Sequence, residues 1–315
     1  MLGESHNHLV TSLSDLTAAH ARLSANVRGA LWMLAAAVTF TAMTTLIKFL
    51  GADYSPAVQT FYRQAAGLVV LLPLVARDPK GMLRTTRPGI LLFRALAGTL
   101  GMILGFWAYQ EMPLAEANAL SFTRTLWIVP LAIFVLRETV GAWRIGATVA
   151  GFFGVLLMLQ PAIANSVGLP AIAALASAAL FAMTVTGVKV LTRDHGVMVL
   201  TTWSAILGFV LALPMAFIEW RWPAPMDLLL LSIMGVCGLV TQMFYIKGMS
   251  IGDATAMAPI DYTRLLFALV VGFFWFHETP DLVAMAGAAI VIGSTLVITL
   301  REARRKQTPP KLDAA

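Results

Sequence analysis

The chain is poor in the residues on which most enzymes and secreted domains depend. It has one cysteine, Cys237, in 315 residues, so no disulfide can form within the chain. Its histidines fall in an N-terminal tail (His6, His8, His20), a loop (His195) and the end of an apolar segment (His277). They give no metal-ligand spacing and no HExxH. No GKS/T phosphate loop is present, which argues against an ATP-driven pump. Charge is scarce: 12% of residues are Asp, Glu, Lys or Arg, half the ~25% of soluble domains. Acids deep in the apolar stretches are scarcer still, with Asp261 alone in that position. What fills the chain instead is 59% hydrophobic residues, with a mean hydropathy of +0.81. Such a chain is an integral membrane protein.

Hydropathy predicts ten apolar segments, each near the ~20 residues that cross ~30 Å of hydrocarbon. They are 29–50, 55–76, 89–110, 114–136, 140–160, 168–191, 198–218, 226–247, 254–276 and 281–300. Residues 1–28 read as a cytoplasmic tail without the pattern of a signal peptide, and 301–315 as a basic cytoplasmic tail. With both ends inside, the inner segments hold nine basic residues from Arg22 to Arg193, and the C-terminal tail adds five. The outer loops hold only Arg221. Fourteen against one predicts an N-in, C-in orientation. The overall pI near 9.8 therefore reflects membrane topology and not nucleic-acid binding.

The chain is written twice. Met112-Pro-Leu-Ala-Glu116-Ala-Asn-Ala119 recurs as Met249-Ser-Ile-Gly-Asp253-Ala-Thr-Ala256, and Ser121-Phe-Thr-Arg124 as Asp261-Tyr-Thr-Arg264. Glu138-Thr139 recurs as Glu278-Thr279, Lys48 as Lys189, and Gly98 with Gly101 as Gly235 with Gly238. The halves 29–160 and 168–300 each carry five segments, an odd number. The second half is therefore expected upside down relative to the first, an all-α membrane fold of two inverted five-helix repeats. Inverted repeats supply two related shapes for alternating access, with solute bound at the midplane between halves.

These features resemble the EamA-type proteins of the drug/metabolite transporter superfamily. The residues that carry the resemblance are the glycine-rich third and eighth segments, the endings Glu138-Thr139 and Glu278-Thr279, and the run Asp261-Tyr262-Thr263-Arg264-Leu265. It covers about residues 29–300. The resemblance implies ten helices in the bacterial inner membrane, no cofactor, and a central cavity lined by segments 1–4 and 6–9. It implies peripheral segments 5 and 10, which pair some relatives into dimers. Members of the subgroup have been linked to S-adenosylmethionine, riboflavin and organic acids.

Depth sorts the basic residues. Lys48, Lys189 and Lys247 lie close to segment ends, where long side chains snorkel to the headgroups. Arg63, Arg124 and Arg264 lie eight to ten residues in, roughly 12–15 Å at 1.5 Å per residue, and need a counter-ion, backbone carbonyls or a wet cavity. Arg94 shares a helical stripe with Gly98, Gly101 and Gly105, which points it at the bundle. In the repeat register Arg63 aligns with Ser204 and Arg94 with Leu231. These two therefore serve something asymmetric, as a solute is. Gln59 and Tyr62 share the Arg63 face. With Trp127, Trp203 and Tyr262 they are candidates for contact with a planar ligand, against the bland alternative of helix packing.

Asp261 precedes Arg264 by three residues and either pairs with it or serves as a proton-coupling carboxylate. Glu138 and Glu278 read as structural ties, and Glu116 and Asp253 as helix N-terminal acids.

The excess of deep arginines over acids predicts a secondary transporter of an anionic or zwitterionic organic metabolite. Its expected partners are that solute, the bilayer and a proton or counter-solute. The alternative within transport is an exporter of amino acids or cationic and aromatic drugs, which Asp261 and the aromatics would serve. A membrane-embedded enzyme would need a metal site or clustered His, Asp and Glu, and a pure scaffold would have no use for buried arginines.

Overall fold

A computed structural model describes residues 24–134, 141–164, 168–191, 197–251, 257, 260–279 and 281–307. Glu138, Asp253 and Pro259 lie outside them. The described elements are all helices, with no strand among the described residues. The long helices are α1 (Ala25–Phe49), α2 (Pro56–Arg77), α3 (Pro88–Glu111), α4 (Leu114–Phe122) and α5 (Arg124–Phe134). They continue with α6 (Ala142–Ala164), α7 (Gly168–Leu191), α8 (Val197–Ile218), α9 (Pro225–Ile251), α10 (Thr263–Phe276) and α11 (Leu282–Gln307).

Local chemistry sets the starts. Ser24 and Ser55 cap α1 and α2 by accepting from Val27 N at 3.4 Å and Val58 N at 3.5 Å. Pro56 and Pro88 open their helices at positions where a missing N–H costs nothing. Among the described residues, six helical stretches are long and apolar enough to cross a membrane: Ala25–Ala52, Pro56–Arg77, Pro88–Glu111, Leu114–Phe134, Val199–Ile218 and Pro225–Ile251. Shorter apolar helices cover Ile145–Leu157, Gly168–Thr184, Thr263–Phe276 and Leu282–Ile298. Large apolar side chains such as Ile218, Phe134 and Leu282 stand exposed on the outside of the bundle, as lipid-facing residues do.

The fourth segment runs as one apolar stretch over Leu114–Phe134, with a one-residue turn at Thr123 between α4 and α5. The cause is local. Thr123 Oγ1 donates to Leu120 O at 2.6 Å, and Leu126 N tightens onto Thr123 O at 2.8 Å. A threonine back-bonded into its own helix bends it. Thr263 makes the matching bond to Ile260 O at 2.7 Å, just after the turn at Tyr262. Both copies of the Thr-Arg pair thus sit at a turn, at Thr123 itself in the first and one residue earlier, at Tyr262, in the second, where Thr263 already opens α10.

Packing follows the repeat. The largest interfaces between helices are α1 on α9, α3 on α7 and α6 on α11. In the repeat register the first two are the same contact with the halves exchanged, and the third maps onto itself. The α2–α8 contact also maps onto itself, and α2–α9 has its counterpart in α3–α8. Glycines make these approaches possible. At Gly235 a Cβ would come within 2.5 Å of Ala66 Cβ and 3.3 Å of the α2 backbone, so α9 lies directly on α2 there. The interior is filled by Met43, Ile47, Leu50, Phe106, Leu114, Leu126 and Met234.

Candidate functional site

The helices leave three adjoining chambers, of about 340, 220 and 180 Å³. Arg63 of α2 and Arg124 of α5 line all three, and Arg264 of α10 lines the second and third. Arg94 of α3 lines the first. Four helices thus deliver the four arginines expected from the sequence to one connected space.

Their surroundings differ. Arg63 reaches Gln64 Oε1 only at 3.5 Å and the weak acceptor Met102 Sδ at 3.3 Å, and its Nε is buried without a hydrogen bond. Its guanidinium lies across Gly238 of α9, where a Cβ would stand 2.6 Å from Nε and 3.3 Å from Cζ. Among the described residues no carboxylate pairs with Arg63 or Arg124. Arg94 donates to Ser204 Oγ in a short hydrogen bond and to Leu200 O at 3.4 Å, so α3 is tied to α8 at this point. Ser204 is the residue that replaces Arg63 in the repeat.

Arg264 is the most enclosed. Its guanidinium sits 4.1 Å from the Phe122 ring centre and 4.8 Å from that of Phe40, a cation–π arrangement on two faces. It also donates to Ser121 Oγ at 3.4 Å and stands 4.0 Å from Asp261. Asp261 lines the third chamber together with Tyr245 and Gln242.

The other candidates lie elsewhere. Gln59 is fully buried, and its Nε2 donates to Ile47 O at 3.0 Å. It is drawn to the carbonyls at the end of α1 and not to the cavity. Tyr62 stacks on Trp220 at 6.0 Å, and Trp127 meets Phe152 edge-on at 5.1 Å. Trp203 packs with Leu91 and Leu200, while the Tyr262 hydroxyl bonds to Thr295. None of these five is on the walls of the three chambers. Sharing a helical face with Arg63 was not enough, because neighbouring helices claim each of them first.

The walls are instead completed by neutral residues the sequence reading passed over: Gln64, Gln242, Tyr245, Tyr109, Phe40 and Phe181. A signal existed for two. Gln64 and Gln242 are amides in mid-segment, and a polar side chain within a membrane helix faces protein or water.

At one end of the bundle, Glu278 gathers three elements. Its carboxylate is 2.7 Å from Lys48 Nζ of α1 and accepts from Leu114 N of α4 at 2.8 Å. Lys48 also donates to Met112 O at 2.5 Å. His277, beside it, takes the left-handed conformation at φ 54° that ends α10. Glu138 lies outside the described residues.

A helical bundle with an apolar exterior and an arginine-bearing cavity at its centre is the architecture of a multi-pass transporter of the inner membrane. The chain belongs to the EamA-like transporter family, whose model matches residues 27–160 and again 168–300, within the drug/metabolite transporters. It is 32% identical over 281 residues to an S-adenosylmethionine uptake transporter of Rickettsia prowazekii (strain Madrid E), covering 89% of this chain and 95% of that one. A riboflavin transporter of Rhizobium johnstonii is 28% identical, with 90% and 94% covered. A pseudopaline exporter of Pseudomonas aeruginosa is 24% identical, with 86% and 95% covered. A solved crystal structure superposes with a TM-score of 0.60 at 17% identity, over 89% of this chain and 99% of the other. The three named relatives are transporters of small molecules, and with the family match they mark this chain as a transporter and not an enzyme.

Proposed function

We propose that the chain is a secondary transporter that moves an anionic or zwitterionic organic metabolite by alternating access, with Arg63 and Arg124 holding the anionic group. The observation that carries this is the chamber junction: two guanidinium groups face a shared cavity with no carboxylate against either among the described residues. A desolvated, unpaired guanidinium is costly, and a carboxylate or phosphate would satisfy its fork. Arg264 has rings and Asp261 already around it, so it sets the field more than it grips. S-adenosylmethionine, the solute of the 32%-identical relative, carries a carboxylate that such a site could hold. Asp261 is already engaged by Arg264, which speaks against an exporter of cations and leaves coupling as its role.

The proposed frame is ten spans, N-in and C-in, with the halves related by a two-fold axis in the membrane plane. The exchange symmetry of the helix contacts and the double family match support it. In that frame Lys48, Glu278 and Leu114 stand at the outer end. Leu71, Arg94 and Thr201, which line the first chamber, stand toward the cytoplasm, so the shape is clasped outside and hollow inside.

The test is Arg63→Lys and Arg63→Ala in proteoliposomes, with thermal stability measured on the same preparations. Lys keeps the charge but not the fork and should transport poorly while folding normally. Ala should lose more, on the order of 2–5 kcal/mol of solute binding. A stable Arg63→Ala protein with full transport would end the proposal.

A further inference from the structure

The chambers on either side of the arginines are built differently. In the 340 Å³ chamber, amides and hydroxyls (Gln64, Gln242, Thr184, Ser204) supply much of the wall. The 220 Å³ chamber is walled by rings and thioethers: Phe40, Phe106, Phe181, Met43 and Met102, with Tyr109. Both contain Arg63 and Arg124. A solute whose anionic group sits between the two guanidinium groups therefore has a polar space on one side and an aromatic one on the other.

The second chamber carries a hydrogen-bonding group with capacity to spare. Tyr109 is 7% exposed, and its hydroxyl has Ser121 as its hydrogen-bonding neighbour. Ser121 gives its own proton to Asn118 O at 2.7 Å, so the Tyr109 hydroxyl can only donate to it and keeps its oxygen open as an acceptor. A donor arriving in this chamber would find that partner. An alkyl chain would leave it unused. A flat ring with a heteroatom would engage it and would also meet phenyl faces and the polarizable sulfurs of Met43 and Met102.

We propose that the ring-lined chamber receives an aromatic or heteroaromatic part of the solute, with the anionic group at Arg63 and Arg124 and a ring heteroatom at the Tyr109 hydroxyl. This rests on the anionic-solute reading above and narrows it to aryl acids. Tyr109 is then a specificity residue, since it selects the ring and not the charge.

The test uses purified full-length protein, thermal stability as the readout, and three probes. Indole-3-propionate has ring and charge, butyrate has charge without ring, and indole-3-propionamide has ring without charge. A ligand at free concentration L that binds only the folded state raises apparent stability by RT ln(1 + L/Kd), so a concentration series of melting temperatures yields each Kd. Indole-3-propionate should bind at least about tenfold more tightly than butyrate, as expected for one buried ring. Tyr109→Phe, which keeps the packing, should weaken indole-3-propionate by about fivefold, the worth of one net hydrogen bond, and leave butyrate unchanged. Butyrate binding as tightly as indole-3-propionate overturns the aromatic chamber and leaves the anion reading standing. Indole-3-propionamide matching the acid, with Arg63→Ala silent, supports the chamber and overturns the anion reading. Tyr109→Phe without effect on the aryl acid removes the role given to the hydroxyl, and no stabilisation by any probe overturns both.

Discussion

At the scale of single residues, the cavity depends on an atom that is not there. Arg63 can lie where it does because Gly238 has no side chain: a Cβ would stand 2.6 Å from the guanidinium Nε and 3.0 Å from Met43 Sδ. Gly238→Ala should therefore displace the guanidinium while leaving the α2–α9 contact at Gly235 in place. The expected result is a raised KM with a smaller change in kcat. In an Arg63→Ala background the same substitution should be nearly silent, because the group it strikes has gone. The coupling should be on the order of 1–2 kcal/mol, as for residues in direct contact. Melting temperatures and KM on the four proteins of the cycle check this. Equal cost in both backgrounds would mean that Gly238 serves only the packing of helices.

At the scale of elements, one carboxylate joins three of them. Glu278 binds Lys48 of α1 and the first N–H of α4 from its place just past α10. Both side chains are largely enclosed, at 15% and 12% exposed, so removing one partner strands the other. Glu278→Gln should cost about 3 kcal/mol of stability, read as a lower melting temperature, while the solute affinity of the folded protein stays unchanged. Lys48→Met combined with Glu278→Gln should recover part of the loss. An affinity change without a stability change would place Glu278 in the site. The same elements mark what a sequence reader could and could not see. The depth of Arg63, Arg124 and Arg264 was plain from hydropathy, and depth sufficed to aim them inward. The break at Thr123 was not plain. It contains neither Gly nor Pro, and only the hydrogen bond to Leu120 O reveals it. The aromatic wall was hidden for a related reason: most faces of a buried helix are apolar, so pattern cannot say which ring meets a neighbour and which meets a cavity. Tyr262 and Tyr109 look alike in the sequence, yet one hydroxyl is bound to Thr295 away from the chambers and the other residue lines a chamber wall.

At the scale of the whole molecule, the charge in the cavity bears on the transport cycle. Arg63, Arg124 and Arg264 face Asp261 across connected chambers, which leaves cationic charge uncompensated when no solute is bound. To reorient empty, the protein would have to seal that charge away from water, at the desolvation cost of an unpaired ion. To reorient loaded, it carries the counter-ion with it. The return stroke should therefore be the slow half of the cycle unless another anion makes the journey back. We expect counterflow to outpace net flux: proteoliposomes preloaded with unlabelled solute should take up labelled solute faster than empty vesicles. Arg63→Ala should narrow that gap even where it lowers both rates, since it removes part of the charge that resists an empty return. Equal rates from loaded and empty vesicles would show that the empty carrier crosses as readily as the full one. An exchanger of this kind runs on the gradient of whatever it hands back, so the direction of net movement would be set by the cell's metabolism and not by the protein.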